Sequence, residues 1–180
     1  MKHILAIILL GLGFGAQAQF SGASLQASGL TCSMCSKAVK LALEEVPFVA
    51  KVQVDIKNQQ YNLTFRDGAQ VDFDQLSKAV EDAGFSVASL KVTADVKDLK
   101  AEKDGHVRIG NHYFHFLNGD ARQLSGATSF SVVDRNFVPA KEFKKYSSMT
   151  KMACVQTGKA SSCCTAGEVP AQSRIYHVII

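Results

Sequence analysis

The stretch GLTCSMCSKAVKLALEEV, residues 29–46, decides how the first half of the chain folds. Two cysteines, Cys32 and Cys35, stand three apart at the head of a segment with helical periodicity. Its apolar residues Val39, Leu43 and Val46 recur at i, i+4 and i+7, with Ala38 and Ala42 beside them. That spacing puts one apolar stripe along a helix, and Pro47 ends it. Cys32 falls on the loop before the helix and Cys35 in its first turn, so both sulfurs can converge at the helix N-terminus. Orphan N–H groups and the helix dipole there favour thiolate over thiol. Lys37 and Lys40 add positive charge nearby, which would offset the negative charge of a metal held by two thiolates.

Working outward, Leu25 to Gly29 reads as a short first strand. After the helix, VAKVQVDI (49–56) alternates, with Val52, Val54 and Ile56 on one side and Lys51, Gln53 and Asp55 on the other. KNQQ supplies a turn, and Tyr61, Leu63 and Phe65 alternate again, which predicts a hairpin with one buried face. A second helix, capped by Asp72 or Asp74, carries Leu76, Ala79, Val80 and Ala83 and stops at Gly84. FSVASLKV (85–92) closes the unit as a strand. The order β-α-β-β-α-β predicts an α+β, ferredoxin-like unit with both helices on one face of a four-stranded antiparallel sheet.

KDLKAEKDG (97–105) is charged and poor in apolar residues, so it is the expected domain boundary. Residues 95–180 read as β-rich. HVRIGNHYFHFL alternates around a turn at Gly110-Asn111, ATSFSVV is a further strand, AKEFKKYSSM a short helix after Pro139, and RIYHVII a final strand. Short strands with glycine turns predict a small barrel or sandwich. QTGKASSCCTAGEVPAQS (156–173) is small and polar, the composition of a mobile loop.

The N-terminus has the three parts of a secretory signal over residues 1–18. Lys2 is the basic start, Ile4 to Phe14 the apolar stretch, and Ala16-Gln17-Ala18 the cleavage site. The apolar run falls well short of the roughly 20 residues of a membrane span. The expected product is a soluble protein beginning near Gln19, periplasmic or secreted, with no stable membrane insertion. The 180 residues are 47% hydrophobic, which suits a packed core, and the net charge of +4 is spread along the chain. Lys144-Lys145 is the nearest approach to a basic cluster, too sparse for nucleic-acid binding.

Residues 29–35, Gly-Leu-Thr-Cys-Ser-Met-Cys, resemble the GMTCxxC loop of heavy-metal-associated domains. These are the copper-chaperone-like modules also found at the N-termini of metal-transporting P-type ATPases and in periplasmic mercury-binding proteins. AVEDAGF (79–85) is similar to that family's second-helix signature, and VAKVQVDI matches its hairpin strand. The resemblance runs from about Ser24 to Val92, which places the domain at 22–94. It implies Cys32 and Cys35 as metal ligands, with Phe85 packed beneath the site. Leu30 stands where the family has a buried methionine, and Phe48 where a glycine is common.

Two thiolates without a nearby histidine or carboxylate suit Cu(I), which accepts nearly linear coordination; Ag(I) and Hg(II) fit the same pair, and structural Zn(II) wants four ligands. Such a protein would exchange metal with a donor or acceptor such as a copper transporter. Two rival readings of the CxxC are a periplasmic thiol–disulfide oxidoreductase and a plain structural disulfide.

In the C-terminal half, Met149, Met152, Cys154, Cys163 and Cys164 admit two readings. One is a disulfide from Cys154 to Cys163 or Cys164; the other is a weak second soft-metal site. His112 and His115 point to opposite faces of a strand, which makes them poor joint ligands, and each reads as a surface or core histidine. No catalytic constellation stands out, so no enzyme activity is expected and the second half reads as a docking or scaffold domain.

Overall fold

The computed structural model describes residues 20–167 and 169–180. The expected signal, residues 1–18, lies outside them. Phe20–Ser28 forms β1, Ser33–Glu44 α1, Val49–Asp55 β2, Gln60–Phe65 β3, Phe73–Asp82 α2 and Ser86–Glu102 β4. Within this unit the strands lie in the order β2-β3-β1-β4, each pair antiparallel, as the ferredoxin-like reading requires. The apolar stripes do what their spacing predicts. Val39 and Leu43 of α1 and Leu76 and Val80 of α2 are buried with Leu25, Leu63 and Leu90 of the sheet. Asp72 is the cap of α2: its Oδ1 accepts the Asp74 backbone N–H at 3.0 Å. Gly84 ends that helix at φ +87°.

β1 is longer than the expected Leu25–Gly29, and β4 much longer than its predicted eight residues. The 17 residues of β4 run through the stretch expected to be a connection. A register shift between Val96 and Leu99, with Asp98 at φ +52°, marks a β-bulge. The extra residue lets Val96, Leu99 and Ala101 keep to the apolar side although their spacing is irregular. Lys97, Asp98 and Lys100 then sit at exposed or partly exposed positions, so their charge is no bar to a strand.

The rest of the chain extends the same sheet. His106–Ile109 is β5, His112–Phe116 β6, Asp120–Val132 β7 and Ile175–Ile179 β8. The full order is β2-β3-β1-β4-β7-β8-β6-β5, one open eight-stranded sheet, where a separate barrel or sandwich was expected for residues 95–180. β6 and β8 are parallel, the other pairs antiparallel.

One hydrophobic core runs under both halves. Phe20 of β1, Phe73 of α2, Phe114 of β6 and Tyr176 of β8 form an aromatic cluster, with ring centroids 5.0 Å apart for Phe20–Phe73 and 5.2 Å for Phe73–Tyr176. The opposite face of the β5–β8 end is covered by the C-terminal connections. These contain α3 (Ala140–Ser147), α4 (Cys154–Thr157) and a 3-10 helix at Ser162–Gly167. Leu117, Val133, Phe143 and Val155 pack there, and next to them Cys154, Ala160, Cys164, Val169 and Ile175. The segment expected to be a mobile loop is therefore part of a core: Lys159 bridges Arg174, and Ala160 and Cys164 are buried.

Candidate metal centre

Gly29 leaves β1 at φ +83°, a left-handed conformation open to glycine, and turns the chain into the CxxC loop. Cys32 is the N-cap of α1, and its sulfur accepts the Cys35 backbone N–H at 3.3 Å. The two sulfurs lie 2.8 Å apart, unbonded, with Cys32 exposed and Cys35 half-exposed. The hydrogen bond with Cys32, supported by Thr31, holds the Cys35 thiol below its ordinary range. Behind the loop the Tyr61 hydroxyl donates to the Ser36 carbonyl at 3.2 Å and lies 3.0 Å from the Ser36 hydroxyl. Leu30 and Phe85 pack against the core below. Beside Cys32 lies an open cleft of about 520 Å³ lined by Lys37, Lys40, Val54, Ile56 and Tyr61, among others. Met34 and Ile56 are exposed at 69% and 85%, so apolar surface flanks the thiols. Among the described residues, no third cysteine, histidine or carboxylate ligand atom converges on this pair. The chemistry on offer is two soft donors in an open site.

The remaining cysteines gather elsewhere. All are free thiols, so the expected link from Cys154 to Cys163 or Cys164 is absent. The sulfurs of Cys154, Cys163 and Cys164 nevertheless lie within 4.8 Å of one another. The Cys154 sulfur lies 3.5 Å from His115 Nδ1 and 3.5 Å from His177 Nε2, contacts a disulfide reading leaves out of account. Burial pushes the Cys154 thiol well above its ordinary range, with Cys164 and Cys163 adding to the effect. Burial also raises Cys163, but hydrogen bonds with Ser161, Cys154 and Cys164 outweigh it and bring that thiol down to about 7. Met152 packs against this cluster, whereas Met149 packs into the neighbouring one with Leu117 and Val155.

The histidines divide as strand alternation requires. His112 faces the aromatic cluster and donates its Nε2 proton to the Val71 carbonyl at 2.6 Å, a structural bond. His115 faces the other way. It is paired across the hairpin with His106 and, in parallel register, with His177. The His106 and His115 rings stack at 4.4 Å, and ligand atoms of His106, His115 and Cys154 lie within 4.8 Å of one another. Burial, with His177 and His106 nearby, lowers the His115 pKa to about 4, so a neutral imidazole makes the 3.2 Å hydrogen bond to Asp104. His106 and His177 were missed by the sequence reading. Yet a two-residue turn at Gly110-Asn111 sets His106 and His115 equally far from the turn and hence opposite each other, a signal that was available.

A family model for the heavy-metal-associated domain matches residues 24–86. The chain is 42% identical over 62 residues to the mercuric transport protein periplasmic component of Pseudomonas aeruginosa, covering 34% of this chain and 67% of that protein. It is 28% identical over 82 residues to a probable copper-exporting P-type ATPase of Archaeoglobus fulgidus, covering 44% of this chain and 10% of the ATPase. Among solved structures, oxidized MerP from Ralstonia metallidurans CH34 aligns at 36% identity over 39% of this chain and 96% of that one, with a TM-score of 0.35. Residues 87–180 lie beyond the family match.

Proposed function

The chain belongs to the heavy-metal-associated domain family through residues 24–86, and we propose that it is an exported carrier that holds Cu(I) between Cys32 and Cys35. The observation that carries this reading is the pair of sulfurs, 2.8 Å apart at an exposed helix N-terminus with no third ligand atom converging on them among the described residues. A soft d10 ion accepts two thiolates in near-linear geometry, whereas a divalent hard ion does not. The N-terminal end of α1 and the lysines lining the cleft lower the cost of the charge. Because the site is open, a thiolate of a partner transporter can add to the bound ion, giving a three-coordinate intermediate from which one cysteine leaves. The protein acts by ligand exchange and catalyses no reaction.

Export is supported by the basic, apolar and A-x-A pattern of residues 1–18 and by the similarity to a mercuric transport protein periplasmic component. No described helix is long and apolar enough to cross a membrane. Hg(II) as cargo is a second reading, favoured by the 42% identity to a mercuric transport component. Titration of the reduced protein with Cu(I) and Hg(II) against competing chelators separates the two. The double substitution Cys32→Ser, Cys35→Ser is expected to abolish high-affinity binding of the cargo ion at this domain; undiminished binding there overturns the assignment. Insulin reduction no faster than with free dithiol is the expected result for a carrier, and turnover above that level would identify an oxidoreductase.

A further inference from the structure

Three histidines stand side by side on the buried face of β5, β6 and β8, and a cysteine on α4 sits against two of them. His115 Nε2 lies on Asp104 Oδ1 at 3.2 Å, and His177 Nδ1 on Asp134 Oδ1 at 2.6 Å. An ionised carboxylate only accepts, so those ring nitrogens carry protons, and in the neutral form of each imidazole the opposite nitrogen is bare. Both bare nitrogens, His115 Nδ1 and His177 Nε2, face the Cys154 sulfur. A thiol has one proton and can satisfy one of them. The third ring adds to the mismatch, since His106 Nε2 is buried without a hydrogen-bond partner. Leaving such groups unpaired in a core costs about 1–3 kcal/mol each. Cys154 also belongs to a second triad, in which the sulfurs of Cys163 and Cys164 lie within 4.8 Å of its own.

We propose that this cluster is a second metal centre, distinct from the CxxC, in which Cys154, His115 and His106 hold a zinc-class divalent ion. The donor set is the mixed thiolate–imidazole type of tetrahedral zinc sites. The spacing agrees. With metal–sulfur and metal–nitrogen bonds of about 2.3 and 2.05 Å, the sulfur–nitrogen edge of a tetrahedron is roughly 3.5 Å. The Cys154 Sγ–His115 Nδ1 distance is 3.5 Å. Asp104 behind His115 is the carboxylate that orients a ligating imidazole. Four strand steps separate β1, which leads to the CxxC, from β6, about 19 Å at the usual strand spacing, so the two sites cannot share an ion. Largely buried where the CxxC is exposed, the second centre fastens the β5–β6 hairpin to the C-terminal cap.

The test uses the full chain with Cys32→Ser and Cys35→Ser, which removes the first site, and Co(II) and Zn(II) as probes. One equivalent of Co(II) is expected, with the intense ligand-field bands of tetrahedral coordination and a thiolate-to-cobalt charge-transfer band. Zn(II) is expected to displace it and to raise the Tm. Absence of Co(II) binding, an octahedral spectrum, or a spectrum without thiolate charge transfer overturns the proposal, and none of these requires a change in the cluster. Adding His106→Gln, at a half-buried position, is expected to weaken Co(II) at least tenfold and alter its spectrum. Adding Asp104→Asn is expected to weaken it about 10–100-fold. Unchanged affinity in both variants also sinks the assignment. Uptake of Cu(I) without any Co(II) or Zn(II) would show a two-coordinate thiolate site instead.

Discussion

Arg174, just ahead of β8, grips Asp74 in the first turn of α2, with Nε 2.8 Å from Oδ2 and Nη2 2.9 Å from Oδ1. The same guanidinium lies 3.2 Å from the buried Asp134 and 4.1 Å over the Tyr176 ring. It therefore joins the family-matched half to the C-terminal half by charge as the aromatic cluster does by packing. Arg174→Ala is expected to cost about 2–3 kcal/mol, because it leaves the Asp134 carboxylate poorly compensated. The Asp74 contact is about a third exposed and supplies the smaller share. In urea, the wild type should unfold in one transition, coincident by circular dichroism and tyrosine fluorescence. Two separated transitions would show that the shared sheet does not couple the halves.

His112 gives a pH dependence with a definite sign. Burial holds its pKa below the ordinary 6.5, with Arg174 adding, although the Val71 carbonyl, Asp72 and Asp74 pull the other way. As pH falls below 6.5 the unfolded chain takes up this proton before the folded one does, so stability falls with it. The contribution is complete above 6.5 and lost progressively below. His112→Gln retains an N–H for the Val71 carbonyl but cannot titrate. The variant should lose Tm relative to wild type at pH 8 and narrow the gap as pH falls toward 5. Parallel Tm curves would exclude His112 as a source of the slope.

The first half was legible because its information is local. The stripe Val39-Leu43-Val46, the alternation Val52-Val54, and the stop at Gly84 each lie within one element, and Asp72 caps at the position its sequence offers. In the second half the single strands were legible and their partners were not. The bulge at Lys97-Asp98 broke the alternation of β4 just where charge was densest, so a strand looked like a linker. The parallel pairing of β6 with β8 joins His115 to His177 across 62 positions, which no periodicity encodes. The small residues around Cys163 and Cys164 suggested mobility, but small residues are also what packs closely beneath Tyr113 and Ile175. Of the candidate ligands, Cys32 and Cys35 came from the resemblance of residues 29–35 to the loop of heavy-metal-associated domains. His106 and His177 required the sheet.

The thiols should differ sharply in reactivity. Cys35 is partly exposed and its thiol is held down by the hydrogen bond with Cys32, whereas Cys154 is fully buried with its thiol pushed up. Alkylation depends on the thiolate fraction and on access. In the metal-free reduced protein, iodoacetamide is expected to label Cys32, Cys35 and the half-exposed Cys163, whose thiol is also lowered, ahead of Cys154. Cys154 should remain unlabelled until denaturant is added. Peptide mass mapping at timed quenches reads this directly, and early labelling of Cys154 would contradict the packing of α4. Air oxidation should close Cys32–Cys35 ahead of any other pair, because their sulfurs need to move by less than about 1 Å.

Gly29 controls how the CxxC loop leaves the sheet. At φ +83° a side chain strains the backbone, but an added Cβ would meet Phe85 only at an ordinary 3.8 Å. The cost of Gly29→Ala is therefore conformational and is expected to be about 1–2 kcal/mol. Asn tolerates the left-handed region better than Ala, so Gly29→Asn should recover roughly half of that loss. The same strain would swing the N-cap Cys32 away from the Cys35 N–H, so Cu(I) affinity should fall in the order Gly29, Asn, Ala. Chemical denaturation and chelator competition on the three proteins make the comparison. If Ala and Asn are equally stable, the left-handed turn does not set the loop. If affinity stays level while stability drops, the turn supports the fold without positioning the thiols.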